Sequence, residues 1–282
     1  AIVHTTEYDY VHPVLVSHHV ARLSPRQMDH QICHEHEILI DPGAVVVERH
    51  RDYYGNAMLF FATQSSHRRL TVTARSRVTL DLPALPEPSH SPPWEEAAAH
   101  HTLPLEALDC AVEVGGVRDG GEAAAYGRAS FPPGRPLLEA LADLTGRIHR
   151  DFTYDAQATT VSTTLAEVLA TRRGVCQDFA RVEIACLRAL GIPARYVSGY
   201  LETLPPPGLP RLVGADASHA WVSVYCPRHG WIDVDPTNNL VPARAHITLA
   251  WGRDFADVSP IRGVILGGGD HSLRVAVDVT RV

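Results

Sequence analysis

Hydrophobic and polar residues alternate along much of the first third of the chain. The longest such run, from Leu70 to Leu80, has apolar side chains at every second position but one. Residues 31–40 alternate in the same way, and Tyr53-Tyr54-Gly55-Asn56 is a turn signal before another apolar run. Because a two-residue period is typical of a half-buried strand, we predict an antiparallel β-sandwich or small barrel over residues 1–82.

A helical period replaces this alternation in the second half of the chain. Apolar residues from Leu137 to Ile148 recur at helical spacing, and Thr164-Leu165-Ala166-Glu167 is a capping box that starts a short helix. Residues 176–190 contain no Pro or Gly, and Gly191-Ile192-Pro193 then stops the helix. This pattern predicts three helices, the last beginning at about Cys176.

Two irregular segments separate these patterns. Residues 83–104 are rich in Pro and residues 115–135 in Gly and Ala. Strands are predicted after the last helix, at 194–201, 218–225 and 230–237, with a closing strand at 273–279. We therefore predict an α+β chain with an N-terminal β-domain (1–82), a connector with additional strands (83–130), and a second domain (131–282).

Cys176 occupies the first turn of its predicted helix. Unpaired N–H groups and the helix dipole favour an anion there, and the thiolate is the nucleophilic form of cysteine. The alternative is that this thiol is a small buried apolar group. Asp178, two residues later, fits a capping or ion-pairing role better than a chemical one.

The strands at 218–225 and 230–237 supply candidate partners for the thiol. Alternation places His219 and Trp221 on one face of the first strand, and Asp233 and Asp235 on one face of the second. We predict a register in which His219 lies opposite Asp235 and Val224 opposite Gly230. A carboxylate beside the imidazole would complete a nucleophile, base and orienting group for acyl transfer; Asp233 is the rival carboxylate.

The chain resembles the transglutaminase-like superfamily of papain-type cysteine enzymes in three blocks: G-V-C-Q-D-F-A (174–180), S-H-A-W-V-S-V-Y (218–225) and G-W-I-D-V-D-P-T-N-N (230–239). The resemblance covers roughly residues 131–260. H-H-V-A-R-L-S-P-R (18–26) and R-D-Y-Y-G-N (51–56) resemble the N-terminal β-domain of its bacterial branch. The resemblance implies a core with a nucleophile-bearing helix packed on an antiparallel sheet, in which Cys176 is the nucleophile, His219 the base and Asp235 the third member.

The expected activity is cysteine-dependent acyl transfer on peptide or amide bonds, as a peptidase or amidase-type hydrolase. Alternatives are an amide-forming acyltransferase that uses an amine acceptor, and a catalytically silent binding or scaffold module. The oxyanion would be held by the Cys176 N–H and one side-chain donor. Candidates for that donor are Trp221, Gln177 and Tyr154. A zinc site made of Cys176, His219 and Asp235 is a less favoured reading, so we expect neither a metal nor another cofactor.

Amino-acid composition limits the classes of function and partner that the chain can have. A net charge of −7 leaves no basic surface for nucleic acid or an anionic membrane. Five cysteines, without a C-x-x-C pair, do not form a disulfide framework. We read Cys33, Cys110, Cys186 and Cys226 as reduced structural thiols, which favours a cytoplasmic location. The expected partner is a peptide or amide substrate, and nothing in the sequence indicates an oligomeric state.

Overall fold

A computed structural model describes residues 1–81, 84, 86–112, 121–160, 162–202, 217–242 and 245–282. Its first half contains β1 (Ile2–Ala21), β2 (Gln31–Asp41), β3 (Val46–Arg51), β4 (Ala57–Thr63), β5 (His67–Leu80), α1 (Trp94–Ala98), α2 (Leu105–Leu108) and α3 (Glu122–Arg128). Its second half contains α4 (Leu137–Asp151), β6 (Thr153–Tyr154), α5 (Leu165–Thr171), β7 (Arg173–Gly174), α6 (Cys176–Arg188), β8 (Ala194–Leu201), β9 (Ala217–Cys226), β10 (Gly230–Val234), β11 (His246–Gly252), α7 (Phe255–Val258), β12 (Ile261–Gly267) and β13 (His271–Val279).

The first sheet is antiparallel and is built around β1. Strands follow the order β2-β5-β1-β4-β3, and β12 and β13 also pair with β1. The first half of β1 pairs with β5 and β13, while its second half pairs with β4 and β12. The register shifts near Val14, where β1 changes partners. One long strand therefore serves as the common neighbour of four others, and apolar residues such as Phe61, Leu70 and Val72 fill the core of this sheet.

The second sheet is antiparallel, with the order β10-β9-β8-β11. Ala220, Val222 and Val224 of β9 face α6 and share one apolar core with it. The opposite face carries Trp221 together with Arg195 of β8. The predicted α+β fold class, with the helix that begins at Cys176 packed on an antiparallel sheet, is confirmed.

The chain end joins the first sheet. The closing strand expected at 273–279 lies within β13, whose partner is β1 and not a strand of the second sheet. The described residues between 84 and 130 form short helices and no strands, so the additional strands expected there are absent from that part. The domain boundaries stay a prediction, but the pairing of β12 and β13 with β1 argues for grouping residues 261–279 with the N-terminal sheet.

The two sheets meet through a small apolar cluster. Ile2 and Val277 of the first sheet pack against Tyr200 and Ile247 of the second. The Tyr200 hydroxyl also lies 2.9 Å from Nδ1 of His4. This contact places the N-terminal sheet directly against the sheet that carries the candidate site.

The hairpin of β9 and β10 corrects the predicted register. Gly230 lies opposite Cys226 and Val234 opposite Val222, a shift of two residues from the prediction. Arg228 and Gly230 adopt left-handed conformations, with φ of 74° and 72°, and thereby close a connection shorter than expected. Since the shift is an even number, each side chain keeps its predicted face.

Among the residues that the structure describes, none of the helices has the length and apolar composition needed to cross a membrane.

Candidate active site

Cys176 is held at the start of α6 by a turn that leaves little freedom. The Asp178 carboxylate folds back over the helix start, where its Oδ2 accepts the Val175 N–H at 2.9 Å and the Thr159 hydroxyl at 2.7 Å. A Cβ on Gly174 would lie 2.7 Å from that oxygen, so the position requires glycine. Asp178 therefore caps the helix, and Cys176 keeps 9% of its surface exposed at the edge of the core.

His219 lies between the thiol and a carboxylate. Its Nε2 lies 2.8 Å from Oδ2 of Asp235 and 3.4 Å from Nδ2 of Asn238, and the Cys176 thiol is near enough to raise the pKa of the imidazole. Burial alone would lower the pKa of His219, but the hydrogen bonds to Asp235 and Cys176 outweigh it and raise the pKa to about 9. The imidazole is therefore protonated at neutral pH and can donate a proton to a leaving group.

Asp235 is fully buried, and both of its carboxylate oxygens accept hydrogen bonds. Its Oδ1 accepts the backbone N–H groups of Thr237 at 2.9 Å and Asn238 at 3.2 Å. Its Oδ2 accepts from His219, from Nδ2 of Asn238 at 2.7 Å and from Nε2 of His246 at 3.0 Å. Burial opposes ionisation, yet these hydrogen bonds hold the pKa of Asp235 well below its ordinary value. The group stays ionised, as an orienting carboxylate must.

Two residues of this arrangement were missed by the sequence reasoning. Asn238 lies in the D-P-T-N-N block, and its place three residues after Asp235 is typical of an Asx-type turn, which was a usable signal. His246 starts β11, eleven residues beyond Asp235. It offered no local signal, because only the pairing of β11 with β8 brings it to the carboxylate.

Known proteins match this chain in both of its halves. Residues 130–236 match the transglutaminase-like superfamily, and residues 1–79 match the bacterial transglutaminase-like N-terminal region. An uncharacterised protein of Mycobacterium tuberculosis (strain ATCC 25618 / H37Rv) is 42% identical over 295 aligned positions, which cover 99% of this chain and 91% of that protein.

The chain belongs to the transglutaminase-like superfamily.

Two other proteins are similar to this chain. A Cytophaga hutchinsonii protein, provisionally described as a cysteine protease, has the same fold: its crystal structure gives a TM-score of 0.73 at 19% identity, covering 100% of this chain and 91% of that one. The protein-glutamine gamma-glutamyltransferase of Pseudomonas aeruginosa is 45% identical over 75 residues, which cover 26% of this chain and 11% of that enzyme. The matches to the two family models confirm the resemblance predicted from sequence.

The three side chains predicted as oxyanion donors of this transglutaminase-like core differ in whether their donor group is free to bind an oxyanion. Trp221 is fully buried, and its indole N–H donates to Oδ2 of Asp233 at 2.9 Å, which argues against an oxyanion role. Tyr154 is exposed and pairs with Gly174, two residues before Cys176. Burial, together with the neighbouring Cys176 sulfur, raises the pKa of Tyr154. Gln177 is half-buried in the first turn of α6. Tyr154 and Gln177 thus remain the candidates.

Asp233, the rival carboxylate, accepts a hydrogen bond from the Trp221 indole N–H, whereas Asp235 is the carboxylate that contacts His219.

A metal ion could find three ligand atoms in the same place. Donor atoms of His219, Asp235 and His246 lie within 4.8 Å of one another. However, both imidazoles approach the same carboxylate oxygen at hydrogen-bonding distance, which accounts for the cluster without an ion. The expectation of a metal-free site stays a prediction, as does the alternative zinc site that includes Cys176.

Proposed function

We propose that this chain is a cysteine-dependent acyl-transfer enzyme that acts on peptide or amide bonds, with Cys176 as nucleophile, His219 as general base and acid, and Asp235 as orienting group. The observation that carries the proposal is the position of the His219 imidazole, which is hydrogen-bonded to the buried Asp235 carboxylate and interacts with the Cys176 thiol.

The chemistry proceeds in two steps. The thiolate of Cys176 attacks the carbonyl carbon, and the carbonyl π electrons move to oxygen, which faces the free N–H groups at the start of α6. Collapse of this adduct breaks the C–N bond, and the departing amine takes a proton from His219. The resulting thioester is then attacked by an acceptor whose proton returns to His219, and Cys176 leaves as the thiolate.

Water as the acceptor makes the enzyme a peptidase or amidase-type hydrolase, which is the function we propose. An amine as the acceptor would make it an acyltransferase. The observation that favours this second function is the 45% identity over 75 residues to a protein-glutamine gamma-glutamyltransferase. The cytoplasmic location expected from cysteine usage stays a prediction, although all five cysteines are free thiols.

The test is a screen of peptides and simple amides for released amine, run with and without an added primary amine. All 25 basic residues are Arg, so the chain offers no lysine amine of its own, and the added amine is a controlled variable. Amine release that needs only water supports the hydrolase. Incorporation of the added amine into product supports the acyltransferase. No turnover of any substrate by wild type, with no difference from Cys176→Ala, would leave only the silent-module alternative.

A further inference from the structure

A cavity lies on the face of the second sheet (β10-β9-β8-β11) that is turned away from α6. It encloses about 730 Å³ between this sheet and the Met28–Gln31 turn of the N-terminal sheet. Arg195, Trp231 and Trp251 form part of its wall. Cavities at the junction of two structural units are frequent ligand sites.

The Arg195 side chain is fixed in this wall by two aromatic rings. Its guanidinium carbon lies 4.0 Å from the ring centre of Trp231 and 3.7 Å from that of Trp251. Stacking against these rings leaves the N–H edge of the guanidinium for hydrogen bonds. Burial lowers the pKa of Arg195 to about 10, so the group remains a cation at neutral pH.

That N–H edge has no partner among the residues described. The Arg195 Nε is buried without a hydrogen-bond acceptor. Asp233 is the acid with the strongest influence on Arg195, yet it lies beyond the 4.0 Å of an ion pair and accepts the Trp221 indole N–H instead. The stacked, half-buried cation thus has no carboxylate partner among the described residues, whereas charges removed from water are normally paired.

A second unpaired polar atom lies on the same wall. His246 lines the cavity, and its Nε2 donates to the ionised Asp235. In that tautomer Nδ1 is a hydrogen-bond acceptor, and it is buried without a partner. His246 pairs with Leu201 on β8, six residues along that strand from Arg195, so the backbone positions of the two residues are about 20 Å apart and their side chains both reach the cavity.

We propose that this cavity binds a peptide-like chain with a free carboxylate, which Arg195 pairs through its N–H edge. A peptide end supplies both missing partners, because its carboxylate accepts from a guanidinium and its amide N–H groups can donate to an acceptor such as Nδ1 of His246. None of Cys176, His219 and Asp235 lines the cavity. The inference therefore stands independently of the proposed function.

Intrinsic fluorescence is a direct readout, because three of the four tryptophans, Trp221, Trp231 and Trp251, line the cavity. We would titrate acetyl-tetra-alanine, as the free acid and as the C-terminal amide, into the Cys176→Ala protein, in which no turnover by the thiol can interfere. The acid is expected to bind at least about tenfold more tightly than the amide, as befits a charge-assisted pair.

Variants then locate the carboxylate. Arg195→Met keeps the length and apolar contacts of the side chain, and it should weaken binding of the acid to the level of the amide. Arg75→Met, an exposed arginine on β5, is the matched control and should leave both affinities unchanged. Circular dichroism and thermal unfolding check that each variant is folded. If Arg195→Met does not fold, the acid–amide comparison in the Cys176→Ala protein decides alone.

Equal binding of acid and amide would overturn the inference. So would an unchanged preference for the acid in folded Arg195→Met, or a dissociation constant weaker than about 10 mM for both peptides.

Discussion

Glu183 provides a quantitative test of the packing beneath the candidate site. This residue lies on α6 and is fully buried; its Oε1 accepts the Thr145 hydroxyl at 2.7 Å, and its Oε2 has no partner among the described residues. Burial raises the pKa of Glu183 from 4.5 to about 8, and the charge of Asp235 acts in the same direction. The side chain is therefore neutral in the folded protein at pH 7.

The sign of the stability effect follows from this raised pKa. The unfolded chain releases the Glu183 proton near pH 4.5, whereas the folded protein retains it up to about pH 8. Stability from this group is complete below pH 4.5 and falls as the pH rises through 8. At 1.36 kcal/mol for each pKa unit, the loss at pH 7 is about 3 kcal/mol.

Glu183→Gln removes this loss because the amide cannot ionise and its oxygen can still accept from Thr145. The new N–H₂ group takes the place of the unpartnered oxygen, which costs about 1 kcal/mol. We expect the variant to be about 1 kcal/mol less stable than wild type at pH 4.5 and about 2 kcal/mol more stable at pH 7. Urea unfolding at both pH values, with unchanged m-values, measures the difference.

Glu106→Gln, at an exposed position on α2, is the control and should show no such crossover. A Glu183→Gln effect that is the same at both pH values would refute the reasoning, since it would mean that the carboxyl group titrates alike in the folded and unfolded states.

Three further predictions concern the site itself. Gly174→Ala should destabilise the protein by about 2 kcal/mol in urea unfolding and slow alkylation of the thiol, because the new Cβ displaces the Asp178 cap; unchanged stability and reactivity would contradict this. His246→Leu should reduce turnover about tenfold, while His246→Gln, which can still donate to Asp235, retains more activity; equal loss in both would show that the donor is irrelevant. Interactions with Asp235 and Cys176 overcome burial and raise the pKa of His219 to about 9. The stabilisation that His219 contributes is therefore complete below pH 6.5 and is lost as the pH rises through 9. His219→Ala should flatten the pH dependence of the unfolding free energy in that window, and an unaltered slope would contradict this prediction.

Local signals predicted much of the core correctly. The helix that begins at Cys176 and the capping box at Thr164 and Glu167 are both present. Each rests on chemistry within a few residues, namely a stop signal in one case and reciprocal hydrogen bonds in the other. The faces of β9 and β10 were also correct, because side-chain direction depends only on the two-residue period.

Features set by distant residues were not predictable in the same way. The register of β9 and β10 depends on a left-handed Arg228, a conformation that arginine rarely adopts and that no sequence rule would have chosen. The pairing of β13 with β1 joins the two ends of the chain, and alternation identifies a strand without naming its partner. His246 reaches Asp235 only through such pairing, which is why the candidate site contains a histidine that the motifs did not indicate.

The central claim is that His219 and Asp235 activate one thiol out of five, and selective alkylation tests it most directly. Wild-type protein is treated with a limiting amount of iodoacetamide near neutral pH, and peptide mass analysis measures the modified fraction at each cysteine. The account predicts rapid modification of Cys176, much slower modification of Cys33, Cys110, Cys186 and Cys226, and loss of the preference in His219→Ala. Uniform slow labelling of all five cysteines, or selective labelling of Cys176 that persists in His219→Ala, would contradict it.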